Sequence, residues 1–206
     1  MGQLCDDLAA MSGVWLDRLS AFDLSGHAVD HDPFGGVAGP FPYQNLVYVE
    51  FERIDDHSGT FVQTNVAVSG RPLHQRTFEA DVVDDQLRFR RLGPDAPHHV
   101  GVSGGPGLIW FVAQHMAEPG LQRYCEPDLI RLDVTPEASG GAALRWRTTI
   151  LWRDGQLVRP LLVEGVRVSH DATRLHETDP RRAETAGADA AVHGDRSITR
   201  QYLESR

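Results

Sequence analysis

The chain has 206 residues, 41% of them apolar, and a formal charge of −9, which suits one domain with its own core. No apolar run approaches the roughly 18–20 residues of a membrane-spanning helix, and an acidic surface repels phosphate backbones, so neither membrane nor nucleic acid is expected as a partner. All 20 basic residues are arginine; Schiff-base catalysis, pyridoxal phosphate attachment and a Walker-type phosphate loop are excluded for want of a lysine.

In chain order, GQLCDDLAAM (2–11) places Leu4, Leu8 and Met11 at helical spacing with acids near its start, which predicts a short helix. The segment has neither a basic leader nor a long apolar stretch, and the expected location is the cytoplasm. NLVYVEFERI (45–54), TFVQTNVAVS (60–69), PLHQRTFEADVV (72–83) and QLRFRRL (86–92) alternate apolar and polar residues, with turn residues between them. The Gly- and Pro-rich stretch 92–107 reads as a loop, and GVSGGPG (101–107) as a flexible turn leading into LIWFV; the alternative is a loop at the barrel mouth that closes over a ligand, with Trp110 and His115 near the opening. LIWFVA, DLIRLDV and the hairpin RWRTTILWRDGQLVRPLLVEGVRV (145–168) add further strands; residues 170–196 read as a polar surface excursion, and SITRQYLE (197–204) as a last strand. Nine or ten strands, almost no helix and no βαβ alternation predict an all-β domain over 1–206. An up-and-down antiparallel β-barrel leads, because closure removes sticky edges; a β-sandwich is the alternative.

Asp154-Gly155 suits a two-residue turn. Centred there, the register sets Trp152 opposite Leu157, Ile150 opposite Arg159, Thr148 opposite Leu161 and Trp146 opposite Val163. The other face carries Arg147 with Leu162 and an exposed pair, Arg145 with Glu164. The tryptophan face is the more apolar, so Trp146, Thr148 and Trp152 are expected to line the interior. A barrel of this size is just filled by side chains or holds one small ligand. Gln63 and Asn65 share one face of their strand, with Val62, Val66 and Val68 on the other, and alternation alone leaves both orientations open. His74 and Arg76 continue into Phe78 and Ala80, which favours that face as the inner one. Buried polar groups need partners, and a ligand is one candidate.

MSGVWLD (11–17) follows the predicted helix and opens the first strand with Gly13 and Trp15. This is similar to the G-x-W signature of lipocalins and related calycin barrels. The resemblance implies that Trp15 closes one end of a barrel, and that an arginine from the last strand packs across its ring; Arg200 is the first candidate and Arg167 the second. The chain departs from the family in having no T-D-Y triplet and only two cysteines, Cys5 and Cys125, which read as reduced thiols. It looks more like intracellular bacterial lipocalin-like proteins, some of which cyclise or isomerise apolar substrates in secondary metabolism.

The ten histidines show no metal-ligand spacing: His98-His99 point apart on a strand, and His27 and His31 lie in a loop-like context. G-V-S-G-G is not a nucleophile elbow. The leading expectation is a cofactor-independent isomerase or cyclase for a small hydrophobic molecule held in the barrel. His74, Arg76 and Tyr48 would polarise a carbonyl or move a proton, and Gln63, Asn65, Phe78, Trp110, Trp146, Thr148 and Trp152 would bind the ligand. A non-catalytic carrier using the same pocket is the alternative, and a packed barrel with a protein-binding outer surface comes third; self-association into a homo-oligomer is left open.

Overall fold

The computed structural model describes residues 2–30, 41–69, 75–90, 98–114, 128–135, 140–153 and 156–171, with backbone alone for 67–69, 75–76, 98–99, 112–114, 151–153 and 156–159. One helix, α1 (Gln3–Met11), is followed by strands β1 (Gly13–Phe22), β2 (Ala28–Val29), β3 (Tyr43–Arg53), β4 (Gly59–Ser69), β5 (Gln75–Val83), β6 (Gln86–Phe89), β7 (His98–Gly105), β8 (Leu108–Gln114), β9 (Asp128–Asp133), β10 (Leu144–Arg153) and β11 (Gln156–Ser169). Each strand pairs antiparallel with its sheet neighbour, β1 passing directly to β3, and a β1–β11 ladder closes the ring. The result is a ten-strand barrel, with the two-residue β2 attached to the end of β1. That ladder, from Val14↔Ser169 to Ala21↔Leu161, decides for the barrel over the sandwich. No helix among the described residues is long and apolar enough to cross a membrane. The proposed excursion 170–196, from residue 172 on, and the strand 197–204 lie outside the described residues.

Helix α1 plugs one end. Leu4, Cys5, Leu8 and Met11 fall on one face and are buried against Trp15, Val47, Val49, Phe61, Leu87, Ile109 and Phe111. The helix stops at Ser12, which is extended, and the chain turns straight into β1. Trp15 Nε1 donates to the Met11 carbonyl at 2.8 Å. Two guanidinium groups, those of Arg145 and Arg167, each lie 4.8 Å from the Trp15 ring centroid. Arg167 Nη2 also donates to the Ala10 carbonyl, tying the last described strand to the helix. Among the described residues Arg167 is the arginine of the last strand that lies across the tryptophan, with Arg145 of β10 beside it; Arg200 lies outside the described residues.

Two segments differ from expectation. The glycine-rich stretch contains a strand: residues 98–105 form β7, with a register shift between Ser103 and Gly105. Glycine weakens the strand signal, yet here it makes room, since a Cβ at Gly101 would stand 3.0 Å from both Leu87 and Phe111. The turn after β7 sits at the plugged end, not at a mouth: Gly107 N donates to Asp7 Oδ1 at 2.9 Å, and its carbonyl accepts from Leu132 N at 2.8 Å.

The hairpin is the second difference. Trp152 pairs with Leu157 as expected, but the register shifts between Leu151 and Trp152. Leu151 pairs with Arg159, leaving Val158 as the extra residue of a bulge, and all later partners move by one: Ile150↔Pro160, Thr148↔Leu162, Trp146↔Glu164. A one-residue slip exchanges faces. Val163 and Leu161 still point inward, but their cross-strand partners are Arg147 and Thr149. Trp146, Thr148 and Ile150 are on the outside.

The interior end of β10 is made tolerable by an ion pair. Arg145 Nε and Nη2 donate to Asp17 Oδ1 and Oδ2 at 3.0 and 2.6 Å, both side chains being about 5% exposed. The pair reaches over Gly165, which is opposite both Asp17 and Arg145 in the ladders. A Cβ at Gly165 would overlap Asp17 Oδ1 and stand 2.7 Å from Arg145 Cγ. Gly165→Ala is expected to lower stability by about 1–3 kcal/mol, the range for overpacking a filled interior, as read by urea unfolding; an unchanged midpoint contradicts this placement.

Asp7 gives a second test. It is 5% exposed and accepts from Gln3 Nε2 and Gly107 N through Oδ1, while Oδ2 has no partner. Burial pushes its carboxyl up from the ordinary aspartate range, against the pull of the Gly107 and Gln3 hydrogen bonds. The folded state thus holds this proton more tightly than the unfolded chain, and the Asp7 contribution to stability falls as pH rises from the unfolded value through the folded one. Asp7→Asn keeps the accepting oxygen and removes that dependence. Its stability relative to wild type should improve steadily as pH is raised from acid toward neutral; a constant difference contradicts the reading.

Candidate functional site

The lumen divides into two halves along the barrel axis. The half next to α1 is solid hydrocarbon, with Trp15 and the Asp17–Arg145 pair at its centre. The other half begins where β3 and β10 carry polar residues inward. Asn45 (buried) is opposite Asp17 in the β1–β3 ladder, and Asn65 is opposite Val47 in the β3–β4 ladder. Gln63 Nε2 donates to Asn65 Oδ1 at 3.0 Å. Across the lumen, Arg147 Nη1 lies 3.5 Å from Asp128 Oδ2, and Thr149 is opposite Asp128 in the β9–β10 ladder. The apolar part of this wall is aromatic: Phe78 shares the inner face of β5 with Ala80, and Tyr43 packs with Phe41, Leu19, Leu161 and Val163 near the rim.

The two internal ion pairs have different characters. Arg145–Asp17 is bidentate and almost fully dry. Burial pushes the Arg145 guanidinium down from its ordinary value, Asp17 opposes that shift, and the like charge of Arg147 adds to it. Breaking such a pair leaves an uncompensated buried charge at a cost of about 3–5 kcal/mol, so it is a structural element. Arg147–Asp128 is longer, at 3.5 Å, and about one-fifth exposed. Water reaches it, and so can a ligand atom. Beside it Thr149 is 1% exposed, and its hydroxyl has no hydrogen-bond partner among the described residues. A buried unpaired hydroxyl costs about 1–3 kcal/mol.

Of the residues expected from sequence to form the site, Gln63, Asn65 and Phe78 line the inner face. His74 lies outside the described residues; Arg76 is placed by its backbone opposite Asn65, and Trp152 by its backbone opposite Leu157. Four others are on the outer face. Tyr48 is buried in an outer cluster with Val14, Leu16, Leu46 and Val66, and burial pushes its phenol up from its ordinary value, so it does not meet the lumen. Trp110 is outside and 46% exposed, because Ile109 and Phe111 take the inner positions of β8. Trp146 and Thr148 are outside because of the bulge. Asp17, Asn45, Asp128, Arg147 and Thr149 were missing from the expected site. Asn45 sits on the face of Val47 and Val49 and was legible from alternation; the three on β9 and β10 depended on a bulge with no sequence signal.

No protein-family model and no curated protein matches the chain. Among solved structures, the S-type phycobiliprotein lyase CPES from Guillardia theta aligns at 8% identity over 79% of this chain and 90% of its own, with a TM-score of 0.49. Rv2717c from M. tuberculosis aligns at 19% identity over 80% and 96%, with a TM-score of 0.46. The type of barrel is set by the chain's own features: ten antiparallel strands closed by β1 and β11, a helical plug, and Trp15 in Gly13-x-Trp15 covered by the Arg167 guanidinium. The fold is a lipocalin-like barrel.

Proposed function

We propose that the half of the lumen away from α1 takes up a small, largely apolar molecule carrying a polar group, and that the protein isomerises or cyclises it there. The observation that carries the reading is the orphan hydroxyl of Thr149, buried beside a solvent-reachable Arg147–Asp128 pair. A carbonyl or hydroxyl of the ligand would complete these groups and the amides of Asn45, Gln63 and Asn65, while Phe78 and Tyr43 would hold the apolar body. Containment in such a space lowers the entropic part of a ring-closing or rearranging barrier. Hydrogen-bond donors aimed at a carbonyl stabilise the charge that develops on it. Arg76, at the start of β5, and His74, just before it in sequence and outside the described residues, are the residues proposed to move the proton. The same lumen without that proton transfer is a carrier.

Thr149→Val separates binding from stability. It should leave the free protein as stable or about 1 kcal/mol more stable, since a buried unmatched hydroxyl is removed. It should also weaken a ligand selected by native mass spectrometry from terpenoid, polyketide-like and fatty carbonyl compounds by about five- to tenfold, the value of one hydrogen bond. A variant that loses stability and binds unchanged contradicts the site. Once a ligand is found, His74→Ala should abolish its conversion while binding persists; a wild-type protein that binds the ligand and returns it unaltered is the carrier.

A further inference from the structure

Five large apolar side chains are notably exposed. Leu24, Ile54 and Val83 sit in or beside turns, where single exposed apolar residues are ordinary. Trp110 and Ile150 are different: they stand mid-strand on one outer wall, β7 to β10. Between them lie Leu108, Leu129 and Trp146, all half-buried. Trp110 extends this floor across β7, where its indole lies against Gly104: a Cβ there would stand 2.7 Å from Cδ1 and Nε1. At β5 the outer wall is instead charged, Glu79 and Asp81 both holding Arg90, and around Tyr48 its apolar residues are buried. Beside the apolar floor is a depression of about 440 Å³ lined by Leu129, Arg131, Asp133, Trp146 and Thr148.

From this wall we infer that the protein associates with a second copy of itself through β8, β9 and β10. The argument is the self-complementarity of the row. Arg131 is opposite Leu108 on one side and Trp146 on the other, and Asp133 is opposite Leu144. A two-fold axis lying across the strands between Arg131 and Asp133 sets each Arg131 against the partner's Asp133. The same axis sets Trp146 against the partner's Leu144 and Leu108 against the partner's Pro106. At these three positions each residue meets one of matching chemistry, as an isologous interface requires. Arg131 forms no ion pair among the described residues, so a partner carboxylate costs no existing contact. A chain of net charge −9 repels its copies over most of its surface; here one cation and one anion cancel, and a basic partner would be drawn to the acidic faces instead. Four strands at ~4.8 Å spacing and about six residues at ~3.4 Å give a wall of roughly 400 Å². That is at the low end for a specific interface, and the dimer is accordingly reversible.

Sedimentation velocity on the full chain, from micromolar to near-millimolar concentration, should show a monomer–dimer equilibrium. Trp146→Ser and Arg131→Asp should each weaken it by about tenfold or more, as expected for central Trp and Arg anchors, with unchanged circular dichroism. The exchange R131D/D133R should restore association, because the reversed charges meet again across the axis. A monomer at every concentration overturns the proposal, as does a dimer indifferent to Trp146→Ser, or an exchange that stays as weak as Arg131→Asp.

Discussion

One row of three residues holds the barrel shut. Asp17 on β1, Gly165 on β11 and Arg145 on β10 lie side by side across the seam where the last strand meets the first. Asp17 and Arg145 are 128 positions apart in sequence and reach each other over the glycine, with Trp15 beneath the guanidinium. Charges this dry are a poor source of net stability, because desolvation offsets most of their attraction. What they contribute is register. A slip of one residue in either ladder would turn one charge outward and leave the other buried without a partner, and the penalty for that exceeds most other errors in the sheet.

That register decides which chemistry the lumen can offer. With Arg145 fixed inward, alternation carries Arg147 and Thr149 inward as well, and Trp146 outward. The half of the barrel beside α1 uses its charges for closure and fills the remaining space with hydrocarbon. The other half has a looser, wetter pair, a set of amides and an unmatched hydroxyl. The dry and the wetter polar groups are thus separated by about two residues along the same strand, Arg145 on one side and Arg147 and Thr149 on the other. Trp110 and Trp146, on the outer face, leave an apolar wall that the barrel has to cover or use.

Much of this architecture is legible from residue order. The helical spacing of Leu4, Leu8 and Met11, the alternation of β3 through β6, and the turn residues between them give an up-and-down barrel, and Gly13-x-Trp15 points to its closed end. The strand β7 was hidden because glycine has weak strand preference, although Gly101 is there to admit Phe111. The inner face of β10 was misjudged for a physical reason: apolarity favours Trp146 and Ile150 inside, and local alternation carries no trace of a bulge at Val158. An inward arginine becomes favourable once Asp17 is known to be across the seam, and that partner is 128 residues away. On strands of steady alternation, Gln63, Asn65 and Phe78 fall on the inner face, an orientation that alternation had left open for Gln63 and Asn65; the inner face beyond the bulge was not legible.

The central claim is that the arginine face of β10 is the inside. Thiol labelling of Thr148→Cys and Thr149→Cys, each in a chain with Cys5 and Cys125 replaced by serine, reads it directly from two adjacent positions. The thiol at 148 should react with a water-soluble maleimide at nearly the rate of the unfolded chain, and the thiol at 149 many times more slowly. Equal rates, or a protected 148 beside a reactive 149, would mean that β10 presents its tryptophans to the lumen.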